Sequence, residues 1–211
     1  MSNLNFSINI PGAELNQMGL KILEEFRVHL SKVFLQIKPF IIGELRPMIN
    51  EALQSSPTWD SISSGEIQKT FFIDSANSAL SAIKTAVIEG VVVDIQPVIN
   101  TGKSVTGGLS VKMLDDGFSS LTHLAEGSYT TANGRNVNWL EYLLFNGTSP
   151  MYLKAKLIRT KRGIILGTAD TDLAISPADA GTQGDNFLTR ALLPVEVKLL
   201  DIIENEISRR S

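Results

Sequence analysis

The sequence predicts an α+β protein: a small, mainly antiparallel sheet flanked by helices, with a long N-terminal helical arm. Three observations carry that expectation. Leu15, Met18, Ile22, Phe26, Leu30, Val33, Ile37, Ile41, Leu45 and Met48 recur every three or four residues, the period of one helix face, with Glu24, Glu25, Arg27, Lys32 and Lys38 mostly off it. Residues 91–99 are rich in β-branched side chains, with 109–114 as the expected partner strand, and 151–158 alternates ahead of Ile164-Ile165-Leu166, patterns that suit pleated strands. Residues 139–145 crowd Trp139, Leu140, Tyr142, Leu143, Leu144 and Phe145 onto one short helix, which is too apolar all round to lie on a surface.

In chain order, Leu4, Phe6, Ile8 and Ile10 alternate with polar residues up to Pro11-Gly12, as in a short strand or extended arm ended by a turn. The helical stripe that follows persists past Pro39 and Pro47. A proline removes an internal hydrogen bond and costs ~3 kcal/mol inside a helix, so a kink or break is expected near 36–39 and another before Pro47. Run through unbroken, the helix would reach ~60 Å at 1.5 Å per residue. That exceeds a compact domain of this size, which makes it a candidate intersubunit helix with Ile22, Phe26, Leu30, Val33 and Ile37 as its contact face. Polar residues around Pro57 mark a boundary between an N-terminal strand and helical arm, 1–56, and an α+β body with a C-terminal helix, 57–211.

Helices are then expected at 58–69 and 74–89, the second capped by Asp74 and closed by Gly90. Strands at 91–99 and 109–114 are joined by a turn over 100–108, and Pro97, which has no N–H to donate, favours a sheet edge. A short helix at 118–124 precedes the aromatic one, where Asn138 and Glu141 have the spacing of a capping box and Gly147 suits a left-handed stop. The following strand pair turns at Arg159-Thr160-Lys161-Arg162-Gly163, and this hairpin with the aromatic helix is expected at the centre of the core. Residues 168–184 lack periodicity and form a loop of about 17 residues, long enough to be functional or mobile. Asp185 caps a helix to Leu193, Pro194 marks a restart or kink, and Val197, Leu200, Ile203 and Ile207 make the last amphipathic face before Arg209-Arg210.

Composition limits function. A chain of 211 residues buries about 70% of its unfolded surface and needs no covalent staple. The absence of cysteine excludes disulfides, thiolate zinc sites and cysteine nucleophiles, and agrees with assembly in a reducing cytoplasm. A net charge of −3 argues against wholesale nucleic-acid binding and leaves only a local patch. No apolar stretch reaches the ~20 residues of a membrane span and no export signal opens the chain, so a soluble, unexported protein with no membrane partner is expected.

Catalytic chemistry is sparse. Gly102-Lys103-Ser104 ends like a phosphate-binding loop, but the loop's earlier glycine falls on Pro97 and the stretch joins two strands, so it reads as a hairpin turn. Neither His29 nor His123 has a neighbour three or four residues away that suggests a ligand pair, and both read as structural. Asp115-Asp116 and Asp170-x-Asp172 lack the ligand repeat of a calcium loop and read as solvated turns; a hydrolase using loop carboxylates is the enzyme alternative. No catalytic residue, metal ligand or cofactor is assigned. The basic turn Arg159, Lys161, Arg162 is the one local concentration of charge, either a solvated tip or a contact face.

The run Trp139-Leu140-Glu141-Tyr142-Leu143-Leu144 with Gly147, a strand, a basic turn closing on glycine, and then Asp185-Asn186-Phe187-Leu188-Thr189-Arg190-Ala191 resembles the pattern of neck and tail-completion proteins of tailed bacteriophages, over roughly 57–191. Where a Trp-x-Val-Pro stretch would precede the last helix, this chain has Asp172-Leu173-Ala174-Ile175-Ser176-Pro177, keeping the proline alone. The resemblance implies a non-enzymatic virion protein, assembled in the host cytoplasm, that forms a homo-oligomeric ring, most simply a hexamer. That ring would join the portal or head-closure ring of the DNA-filled head to tail terminator or tail tube proteins. Repeated around such a ring, the basic turn becomes a belt facing packaged DNA or an acidic neighbour. A cytosolic protein-binding adaptor without symmetry is the alternative among binding proteins.

Overall fold

A computed structural model of the chain describes residues 2–9, 17–114, 117–132, 134, 136–145, 155–161, 163–168, 179 and 181–210. Its helices are α1 (Gln17–Gln54), α2 (Pro57–Ser63), α3 (Glu66–Phe71), α4 (Ala76–Glu89), α5 (Ser119–Thr122), α6 (Trp139–Phe145) and α7 (Phe187–Arg210). Strands β1 (Ser2–Asn9), β2 (Val91–Asn100) and β3 (Ser104–Met113) form one sheet in the order β1-β3-β2. Two further sheets have two strands each, β4 (Tyr129–Thr130) with β5 (Asn136–Val137) and β6 (Ala155–Thr160) with β7 (Gly163–Thr168). All pairings are antiparallel, and the protein is α+β with a long N-terminal helix.

The chain divides into two compact units that interleave along the sequence: Met1–Met48, Val91–Met113 and Val195–Ser211 form the first, and Ile49–Gly90 with Leu114–Pro194 the second. This differs from a division into 1–56 and 57–211. The reason is the sheet: β1 pairs with β3 from Ser2 opposite Val111 to Asn9 opposite Ser104, tying the N-terminal strand to a hairpin in the middle of the chain.

In the first unit, α1 runs unbroken through Pro39 and Pro47, where a break was expected. Both prolines are exposed, as are Leu35 and Gly43 four residues before them, so the carbonyls left without a donor lie on the solvent side. The buried stripe is Leu23, Leu30, Val33, Phe34, Ile37, Ile41 and Leu45, whereas Met18, Ile22 and Phe26 are exposed. The period was legible; its phase near the N-terminus was not. β2 is an edge strand and alternates between exposed and buried, with a register shift between Gln96 and Ile99 where Pro97 cannot donate. Central β3 is buried continuously from Gly108 to Val111, as expected of a strand covered on both faces. It starts at Ser104, so the connection is the tight turn Thr101-Gly102-Lys103 and not a loop over 100–108.

The C-terminal helix corrects the phase of a second stripe. α7 continues through exposed Pro194 to Arg210 with Leu192, Val195, Leu199 and Ile203 buried, while Val197 is exposed. The next position of that buried stripe is a carboxylate: Glu206 is 6% exposed. Arg209 and Arg210 both donate to its Oε1, and an Arg210 Nη1 also reaches Gln36 Oε1 of α1 at 3.4 Å.

In the second unit, the helix expected at 58–69 is two, α2 and α3, broken at Ser64-Gly65. A methyl on Gly65 would lie 2.7 Å from the Ser61 Cα, so only glycine allows this close corner. α4 is preceded by Ser75 and not capped by Asp74, and Gly90 closes it by donating to the Ala86 carbonyl at 2.9 Å. The helix expected at 118–124 is the single turn of α5 followed by a 3₁₀ turn, Ala125–Gly127. The stop at Gly147, the start of the 151–158 strand and the Pro11-Gly12 turn lie outside the described residues.

Burial works to raise the Glu206 pKa, but the hydrogen bonds from Arg210 and Arg209 outweigh it and hold the carboxyl below its ordinary value. A carboxylate whose folded pKa is depressed adds stability above its unfolded pKa and loses it as the pH falls. Thermal unfolding of Glu206→Gln should therefore fall below wild type at pH 7, with the gap closing towards about pH 3 as the carboxylates protonate. A gap independent of pH would show that the carboxylate charge is not what matters.

Candidate functional site

The aromatic helix and the segment that opens the last helix meet in the second unit. α6 buries Trp139, Leu140, Tyr142, Leu143 and Leu144. Trp139 Nε1 donates to the Glu126 carbonyl at 3.1 Å, and a methyl on Gly127 would press on the Leu140 side chain at 3.1 Å. Tyr142 stands against Phe71 of α3 with centroids 6.1 Å apart, and Phe145 meets Phe118 edge to face at 6.1 Å. Asn138 and Glu141 do interact, but through their side chains: Asn138 Nδ2 donates to Glu141 Oε2 at 3.0 Å, while its Oδ1 accepts from Asn136.

The other segment closes on this helix through Gly181. A methyl there would fall 2.8 Å from the Leu143 carbonyl oxygen and 2.5 Å from the Asn186 Cα, so the chain passes between α6 and the start of α7 with no side chain. Asn186, fully buried, caps α7 in place of the expected Asp185. Its Oδ1 accepts from the Leu188 and Thr189 N–H groups at 3.0 and 3.1 Å, and Thr189 Oγ1 accepts from the Asn186 N–H at 2.8 Å, a reciprocal capping box. Asp185 instead pairs with Arg190 at 2.7 Å. The spacing Asn186-x-x-Thr189 was in the sequence, with threonine where a glutamate or glutamine signals the box. Asp179, just before the junction, accepts from buried Thr58 Oγ1 at 2.8 Å, which holds this point of the chain to α2; residues 169–178 of the expected loop lie outside the described residues.

The basic turn is tighter than expected. Thr160 pairs with Gly163, so Arg159 belongs to β6 opposite Ile164, and only Lys161 and Arg162 form the connection. Lys161 is exposed; Arg162 lies outside the described residues. The β6–β7 hairpin is a sheet of its own, and the place of its side chains in the core also lies outside the described residues. Of the candidate intersubunit face, Ile22 and Phe26 are exposed at 42% and 44%, whereas Leu30, Val33 and Ile37 are buried within the chain. The last three serve the protein's own core and are not available to a partner.

Gly102-Lys103-Ser104 is the β2–β3 turn, with Gly102 at φ 81 and its N–H donating to Asn100 Oδ1 at 2.9 Å. His123 follows α5 and its Nδ1 donates to the Ser119 carbonyl at 2.7 Å; His29 is exposed on α1. Asp115-Asp116, Asp170 and Asp172 lie outside the described residues, and no helix among the described ones is long and apolar enough to cross a membrane. No metal-holding group of three or more histidine, aspartate or glutamate side chains occurs among the described residues.

Tyr129 was not foreseen. Its hydroxyl is buried without a hydrogen-bond partner among the described residues. Burial, with the charge of Asp74 behind it, pushes its pKa up to about 12. No spacing in the sequence marks such a group, because what isolates it is packing.

Comparison with protein-family models, curated proteins and solved structures found no match.

Two predictions follow from this geometry. Gly181→Ala forces a methyl against backbone and should cost about 1–3 kcal/mol in denaturant unfolding; an unchanged midpoint would mean the junction is looser than described. Tyr129→Phe removes a hydroxyl with no hydrogen-bond partner among the described residues and should leave stability unchanged or raise it by up to about 2 kcal/mol. Because the folded pKa lies above the ordinary one, wild-type stability should also fall as the pH rises from 10 to about 12, a loss that the phenylalanine variant escapes.

Proposed function

We propose that this chain is a non-enzymatic structural protein of a tailed-phage particle, resembling neck or tail-completion proteins, whose work is done by interfaces in a homo-oligomeric ring. The observation that carries the reading is the convergence at Gly181. The aromatic helix and the Asp185–Arg190 segment, which hold the resemblance between them, build one junction with the Leu143 carbonyl and the Asn186 cap as its walls. A pattern spread over distant stretches of sequence thus corresponds to one packed unit of structure, which is what a fold-defining pattern would do.

In this reading the β6–β7 tip, with Lys161 exposed and Arg159 one pair behind it, is the element that faces a polyanion or an acidic neighbouring ring. One such turn is weak, since exposed ion pairs contribute only ~0–1 kcal/mol. Repeated about six-fold, as the resemblance implies, the three cations Arg159, Lys161 and Arg162 become a belt of about eighteen positive charges, and its contact falls steeply with salt as the entropy gained from counterion release shrinks. The portal or head-closure ring on one side and tail terminator or tube proteins on the other are the proposed neighbours, in the neck or upper tail of the virion.

Replacing Arg159, Lys161 and Arg162 together with glutamine should leave the native mass of the ring and its melting temperature unchanged, while lowering the yield of joined head-tail particles or their DNA retention, most at low salt. Wild-type yield and retention at both low and high salt would remove the belt. A protein that stays monomeric by native mass spectrometry, alone and with particle extract, would remove the ring.

A further inference from the structure

Opposite its buried stripe, α1 carries a second pattern. Lys21, Val28 and Leu35 recur every seven residues along one exposed strip, Val28 at 37% and Leu35 at 66% exposure. Glu25 and Lys32, also seven apart, flank the same edge of that strip, and both are exposed without an ion-pair partner among the described residues. Along the strip lies a shallow open groove of about 450 Å³ lined by Lys21, Glu24, Glu25, Val28, His29 and Lys32. Glu24, on the other edge, is engaged inside the chain: it accepts from Arg27 at 2.8 Å and from Asn100 at 3.3 Å.

We propose that this strip is a two-fold contact in which α1 packs antiparallel against α1 of a second copy of this chain, centred on Val28 and His29. The argument is charge complementarity. Residues one heptad apart lie on the same edge of a helix, and two antiparallel helices bring like edges together. A two-fold axis midway between Glu25 and Lys32 therefore sets Glu25 against Lys32 of the second copy, and the reverse pair at the other end. Val28 meets its counterpart near the axis, and Lys21 lies over the region of Leu35, its methylene stem covering apolar surface. A parallel pair in register would instead place carboxylate at the height of carboxylate and ammonium at the height of ammonium. This contact does not rest on the ring reading: it joins two copies of the chain, and a ring closes or fails through other surfaces.

Because the chain has no cysteine, a single introduced thiol reports the geometry directly. In the antiparallel pair, two Val28→Cys residues lie almost level, whereas two Leu35→Cys residues are about 20 Å apart along the axis, well beyond the ~7 Å Cα separation a disulfide tolerates. Mild oxidation of the full-length Val28→Cys protein should give a covalent dimer at least about tenfold more abundant than that of Leu35→Cys. Lys32→Glu should weaken dimerisation about tenfold in sedimentation equilibrium, and Glu25→Lys combined with Lys32→Glu should restore it, since the swap keeps opposite charges facing. Equal crosslinking from both cysteines, no crosslink from Val28→Cys, or a double swap no better than the single one would overturn the proposal. Native mass of the wild-type oligomer, read separately, decides the ring.

Discussion

Helix α6 cannot stand alone. Seven residues are far below the length at which a helix persists in water, and five of them are buried, so its stability comes wholly from what covers it. Each neighbour reads as a cover. The 3₁₀ turn offers a carbonyl to the indole of Trp139 and a glycine against Leu140; α3 supplies Phe71; the residues before α5 supply Phe118; Gly181 lets backbone replace a side chain against Leu143. Polar groups drawn into this region are tied off, as with the Asn186 amide, which meets two backbone donors. The Tyr129 hydroxyl has no such partner among the described residues, and burial with the nearby Asp74 charge keeps it protonated far into the alkaline range.

Local regularity was legible in the sequence because it is written in spacing. The α+β class, the long first helix, the β2–β3 hairpin and the edge position of Pro97 all followed from period and from residue chemistry. What spacing leaves open is phase and competition. Ile22, Phe26 and Val197 satisfy a helical period, yet Leu23 and Leu199 occupy the buried side, because the direction of the core is set by strands and helices distant in sequence. The three prolines were read as kinks or breaks by their cost inside a helix, but all of them, with the residues four before them, are exposed, so the carbonyls they leave without a donor lie on the solvent side. Asn186 was passed over for its acidic neighbour because capping preferences alone do not separate asparagine from aspartate.

The same distinction governs the candidate surfaces. A charged turn is visible in any sequence, and its tightening from five residues to two came from strand pairing that composition does not encode. The apolar face first chosen on α1 turned out to be mostly interior, while the exposed strip on its other side shows only once the buried side is known. A helix with two patterned faces gives a mixed periodicity, and the stronger hydrophobic signal hides the charge-alternating one.

The interleaving of the two units bears on how such a chain tolerates being cut. The backbone passes between them after Met48, Gly90, Met113 and Pro194, and the first and last passages fall inside the continuous helices α1 and α7. Neither unit exists as one uninterrupted stretch, so no single recombination point separates them. A cut at any single point between Met48 and Val195 therefore divides the first unit, which takes its segments from before, between and after those of the second.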